Sequence, residues 1–107
     1  MTNALVDENA LKELQSIMGD DFRLLVDTCL NDSTMRIAAI KAAIEAQDEE
    51  ALRTSAHSLK GSALNLSAAG LIELCKALEQ MGREGVFVGS MEKLVALEQE
   101  FEDVKRF

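Results

Sequence analysis

His57 is the one histidine in this chain of 107 residues, and it stands in the run Ala56-His57-Ser58-Leu59-Lys60-Gly61-Ser62. Imidazole titrates near neutrality, so much of it is the neutral nucleophile at cellular pH. A neutral ring nitrogen can attack phosphorus, and the phosphoramidate that results keeps a high transfer potential. Lys60, one helical turn on, offers a flexible ammonium to an incoming anion without demanding bidentate geometry. Gly61 follows, and a mid-helix glycine costs roughly 1 kcal/mol relative to alanine. Such a residue calls for a reason in packing or access, and a missing side chain one turn from the histidine would let a reactant come close to the ring.

These residues need a helix that turns them outward. At about 100° per residue, Leu52, Ala56, Leu59, Ala63 and Leu66 fall within about 80° of one another and define a core face. His57 falls about 140° from the centre of that face, on the side that also carries Arg53, Lys60, Gly61 and Leu64. Leu64, apolar yet turned outward, suits the rim of a docking surface that excludes water, or packs beneath the first helix. Arg53 is a second candidate for docking, with a surface ion pair to Glu49 or Glu50 as the alternative.

Five helices can be marked along the chain. Asp7 caps the first, with a staple between Val6 and Leu11, and Gly19 stops it after Leu11, Leu14 and Met18 have recurred on one face. Asp20 or Asp21 opens a second helix of about seven turns, whose apolar stripe runs through Phe22, Leu25, Val26, Cys29, Ile37, Ile40 and Ile44. Its polar middle, Asn31-Asp32-Ser33-Thr34, contains no glycine or proline and reads as a solvated stretch of one continuous helix. Asp48 caps the third helix, and Glu49 and Glu50 complement the positive end of its dipole. Leu66-Ser67 closes it.

Ser67 is the candidate cap of the fourth helix, which carries Leu71, Leu74, Cys75, Leu78 and Met81 and ends at Gly82 and Gly85. Val86-Phe87-Val88-Gly89 has no partner strand and reads as a loop. Ser90 caps the fifth helix, with Leu94, Leu97, Phe101 and Val104 at 3-4 spacing. Four long amphipathic helices with short connections predict an all-α, antiparallel up-down-up-down four-helix bundle, its first short helix covering one end, in a single domain spanning residues 1–107.

Composition narrows the function. A chain of this length buries about two-thirds of its unfolded surface, enough for a core without staples. It is 48% hydrophobic and 28% charged with no proline, as in a folded helical protein. A net charge of −8, with no basic cluster or aromatic series, opposes a nucleic-acid partner. Cys29 and Cys75 lie at apolar-periodic positions without metal-site spacing and are expected as buried, inert thiols. There is neither a signal-like start nor a run of 18 apolar residues, so the expected location is the cytoplasm, away from membranes. A start at Met1 with a cap soon after is what a complete chain would show. No Gly-rich phosphate loop or nucleotide-binding unit is present, which excludes an ATP-dependent kinase.

The run from Ala56 to Ala63, continuing as Asn65-Leu66 into Leu71, Leu74, Cys75, Leu78 and Glu79, resembles the H-S-L-K-G-S motif and following helix of the histidine-containing phosphotransfer domains of two-component phosphorelays. The resemblance covers nearly the whole chain. It implies that His57 carries a phosphoryl group on its outer ring nitrogen, with Lys60 near the phosphoryl oxygens, Gly61 giving access and Ser62 supporting by hydrogen bonding. It also places a polar residue, often glutamine, against the other ring nitrogen, and Glu79 or the adjacent Gln80 takes that position here. The implied partners are receiver domains of a hybrid sensor kinase and of a response regulator, which bring the Mg²⁺; no metal or cofactor is expected on this chain, and a monomer is expected. The chain departs from the family pattern at Ser67-Ala68-Ala69-Gly70, where a glycine usually follows the leucine, and in having glutamate at residue 79. A glutamate there would favour a protonated imidazole. The competing expectation is a non-catalytic helical adaptor that binds a partner through the His57 and Leu64 face.

Overall fold

The computed structural model describes residues 8–106, so the expected Asp7 cap and Val6–Leu11 staple fall outside the described residues. Five helices follow in order: α1 (Glu8–Met18), α2 (Asp21–Ala46), α3 (Glu49–Asn65), α4 (Ala69–Glu84) and α5 (Ser90–Arg106). No strand occurs among the described residues. α2, α3, α4 and α5 pack in sequence and close the ring through α5 against α2, while α1 packs along α2 and approaches no other helix closely. Turns of a few residues reverse the chain each time, which makes neighbours antiparallel. α2 sets the longest dimension: its 26 residues span about 39 Å at about 1.5 Å each, in a molecule 42 × 29 × 20 Å across.

The core is built from the expected stripes. Ile37, Ile40 and Ile44 of α2 meet Leu52, Ala56, Leu59 and Ala63 of α3, Leu71, Cys75 and Leu78 of α4, and Leu94, Leu97, Phe101 and Val104 of α5. Both cysteines are free and buried, and burial pushes the Cys75 thiol up to about 12, beyond any thiolate chemistry at neutral pH. The Asp48 cap is present, its carboxylate accepting the Ala51 N–H at 3.0 Å. Gly19 ends α1 with a φ of +60°.

Four local expectations need correction. α2 is continuous, but its polar middle is not uniformly solvated: Ser33 is fully buried, and Asp32 reaches across to α3. Ser67 does not cap α4; it adopts a left-handed φ of +54° in the turn, and Ala68 takes the cap position with no side-chain bond to offer. Ser90 begins α5 rather than capping it, because its hydroxyl donates back to the Phe87 carbonyl at 2.7 Å, and the Gly89 carbonyl accepts the first helical bond, from Lys93. Gly82 does not end α4, which continues to Glu84 with Gly85 as its left-handed cap.

Gly82 instead serves the contact between α3 and α4. A Cβ at this residue would lie 2.7 Å from the backbone N and 2.9 Å from the Cα of Arg53. Backbone cannot yield as a flexible side-chain tip can, so glycine is what allows the two helices to approach one turn from His57.

Candidate functional site

α3 is held on two flanks, and its helical geometry assigns the neighbours. Arg53 and Lys60 project about 80–100° to one side of the core face, toward α4. Ser55 and Ser62 project about as far to the other side, and the Ser62 hydroxyl donates to Asp32 Oδ2 of α2 at 2.9 Å. His57 remains outside both contacts, with 65% of its side chain exposed. One edge of its ring nevertheless has a partner: Nδ1 lies 3.0 Å from Oε2 of Glu79.

Glu79 is the organising residue. Its side chain is only 4% exposed, yet it receives three groups: His57 Nδ1 and Arg83 Nη2 at Oε2, the latter at 2.9 Å, and Lys60 Nζ at Oε1, at 2.8 Å. Burial pushes its carboxyl pKa up, but the hydrogen bonds from Lys60 and His57, with their charges, outweigh burial and leave it below the ordinary carboxylate value. Glu79 is therefore ionised at neutral pH and can only accept. The proton between it and the ring belongs to Nδ1, and in the neutral ring the lone pair belongs to Nε2, the nitrogen turned away from Glu79. Such an arrangement presents a nucleophilic nitrogen to solvent on a ring whose orientation is held from behind.

The other candidates divide clearly. Gly61 has nothing within 4 Å of the place a Cβ would occupy, so the space beside His57 is open. Leu64 is exposed at 57% and does not pack beneath α1. Arg53 is engaged by Glu50 at 2.6 Å. Gln80 is exposed and Glu79 alone meets the ring, which resolves the alternative left between them. Ser62 ties α3 to α2 and does not touch His57. Lys60 turns toward Glu79 while remaining partly exposed.

Two participants were not anticipated. Arg83 lies four residues after Glu79, the spacing at which an acidic and a basic side chain meet on a helix, so the signal was there. Asp32 had no local signal, because its partner is 30 residues away.

Among the described residues, no group of three or more His, Cys, Asp or Glu side chains is arranged to hold a metal ion, and no helix is long and apolar enough to cross a membrane. The family model described as the Hpt domain matches residues 24–107. The chain belongs to the Hpt domain family. A solved structure, the histidine-containing phosphotransfer protein B (HptB) from Pseudomonas aeruginosa PAO1, is 36% identical to this chain, with a TM-score of 0.91 over 96% of this chain and 90% of that one. A comparison with curated proteins finds no match. This Hpt domain is thus a histidine phosphotransfer protein of phosphorelays with the family's helical bundle. Hpt domains are phosphocarriers without kinase domains, and they interact with receiver domains.

Proposed function

We propose that His57 is the phosphoryl carrier, accepting the group at Nε2 from the aspartate of one receiver domain and passing it to the aspartate of another. The observation that carries this reading is the division of the imidazole between its two nitrogens, with Nδ1 held by a buried carboxylate and the other edge of a largely exposed ring left to solvent. In the forward step the His57 Nε2 lone pair forms the N–P bond while the receiver's acyl O–P bond breaks, returning its electron pair to the aspartate. Lys60, paired with Glu79 at 2.8 Å in the unphosphorylated protein yet partly exposed, would turn its ammonium to the phosphoryl oxygens, and the open space at Gly61 admits the partner's surface. Leu64, and at the edge Arg53, would meet the partner's surface, with Glu79 and Ser62 supporting the site from behind. Mg²⁺ belongs to the receiver, and this chain acts as a monomeric carrier in the cytoplasm, not as an enzyme that makes the phosphate.

The test is incubation with a phosphorylated receiver domain or a hybrid kinase. One acid-labile phosphoryl group per chain is expected, absent in His57→Gln and formed more slowly in Lys60→Ala. Label retained by His57→Gln would place the chemistry elsewhere. Unlabelled wild-type protein that still binds the receiver, with unchanged affinity in His57→Ala, would establish the adaptor.

A further inference from the structure

At Glu79 one carboxylate meets two cations, so the cluster holds one more positive charge than pairing the carboxylate requires. The two cations are held differently. Arg83 lies four residues beyond Glu79 on the same helix, and its Nη2 donates to Oε2 at 2.9 Å, whereas Lys60 reaches Oε1 at 2.8 Å from α3, the helix of His57. Lys60 follows His57 by three residues, one helical turn, on a flexible stem, so of the two it is the cation suited to leave the carboxylate for a group on the ring. We infer that Arg83 is a positioning residue for phosphoryl transfer: it keeps a cation on Glu79 when Lys60 lets go, and so makes the ammonium available to the phosphoryl oxygens. The inference rests on the carrier reading and concerns that same site.

Lys60 cannot serve two anions at full strength. Glu79 is almost fully buried, and a carboxylate so placed gets little help from water when a charged partner leaves. With Lys60 as its sole cation, Glu79 would keep the ammonium, because all that remained to it would be the N–H of a neutral ring. With Arg83 in place, a full positive charge stays behind. Its guanidinium presents N–H groups as a planar fork that matches both oxygens of a carboxylate, which suits it to cover the Oε1 that Lys60 vacates. After the exchange each anion has one cation, Arg83 on Glu79 and Lys60 on the phosphoryl group. No proton moves, and no bond forms or breaks beyond those of the transfer itself.

The neighbouring cations have acids of their own. Arg53 of α3 is paired with Glu50, and Lys76 of α4 with Glu73, each on its own helix. Arg83, with 56% of its side chain exposed, is bound to Glu79 without being buried by it. The second cation also suits the residue type at this position. A neutral amide would not detain Lys60 by charge; a carboxylate does, and then a partner that stays is needed.

The experiment times phosphorylation of the whole chain by phosphoramidate, a small donor that needs no receiver, so that any part Arg83 plays in docking does not enter. The ring nitrogen takes the phosphoryl group as the donor's P–N bond breaks and ammonia leaves, and ³¹P NMR reports the phosphohistidine. Arg83→Met is expected to slow the reaction about tenfold, the effect of one charge-assisted hydrogen bond. Arg83→Lys, which keeps a cation at the same spacing, is expected to stay within about twofold of wild type. In a Lys60→Ala background Arg83→Met has no ammonium left to release, and in a Glu79→Gln background no charge detains Lys60, so in both it is expected to have no further effect. Slowing that persists undiminished in these backgrounds would overturn the inference, since Arg83 would then meet the phosphoryl group itself or merely hold the fold. A wild-type rate in Arg83→Met would overturn it while leaving His57 as carrier. A wild-type chain that never shows phosphohistidine would overturn the carrier reading and the inference with it.

Discussion

Two glutamates sit at helix seams in this bundle and meet opposite fates. Glu79, where α3 and α4 meet, is almost fully buried and satisfied by three donors, and its pKa is lowered. Glu100, where α5 meets the start of α4, has a buried Oε2 without a hydrogen-bond partner; burial pushes its pKa up, and the neighbouring Asp103 pushes it further. Burial alone therefore does not decide which way a carboxyl pKa moves; the donors brought to it do. Each seam also contains a glycine. The missing Cβ of Gly82 faces the backbone of Arg53, whereas that of Gly70 faces the carboxylate end of Glu100, at 2.5 Å. One obstacle is rigid and the other can swing away.

The sharpest way to break the comparison is Gly82→Ala. Overpacking against backbone costs about 1–3 kcal/mol, larger than the roughly 1 kcal/mol that alanine gains in helix propensity, so a net loss near 1 kcal/mol or more is expected in urea unfolding. The same substitution should weaken the His57–Glu79 contact, visible as a changed imidazole ¹⁵N shift. Unchanged stability would mean that the α3–α4 seam is not tight.

Smaller effects separate the carboxylates by pH. A group whose folded pKa is lowered adds stability above its unfolded value and loses it as pH falls through the folded value, so Glu79→Gln should flatten the decline of stability on the acid side of the ordinary carboxylate range. A raised carboxyl does the reverse: its cost is absent below the ordinary range and grows as pH rises from there to the folded value. Glu100→Gln should therefore stabilise the protein at neutral pH, by about 0.5 kcal/mol, since the residue is partly exposed and solvent screens it. Thermal unfolding from pH 3 to 8 would show the two slopes, and slopes of the same sign would end the contrast. Least of all should Gly70→Ala disturb the fold, with a change within about 0.5 kcal/mol as the Glu100 side chain turns outward and alanine's propensity compensates. A loss as large as that of Gly82→Ala would show that Glu100 is fixed in place.

The difference between rigid and yielding contacts also explains what could be read beforehand. The stripes from Ile37 to Val104 and the Asp48 cap follow from local period and local chemistry, and they appear where expected. The exposure of His57 follows from the same period. Gly82 was misread because a glycine late in a helix looks like a stop, and only the approach of Arg53 from another helix reveals its purpose. Ser67 and Ser90 have the residue type of caps, but the turns around them place their hydroxyls elsewhere. Glu79 could have been separated from Gln80 by angle alone: with Leu71, Cys75, Leu78 and Gly82 facing inward, Glu79 lies on the flank of that face and Gln80 about opposite to it. Asp32 could not, since nothing near it in sequence announces Ser62.

Gly61 has a consequence of a different sort. Nothing lies within 4 Å of its absent Cβ, and its backbone is ordinary helix, so folding has no use for a glycine there. Judged as a monomer, the protein carries a defect at residue 61 that alanine would repair by roughly 1 kcal/mol. A redesign guided by melting temperature would make that exchange first, and a screen for heat resistance would reward it. On the carrier reading proposed above, only a measurement made with a second molecule in the tube would register what had been given up.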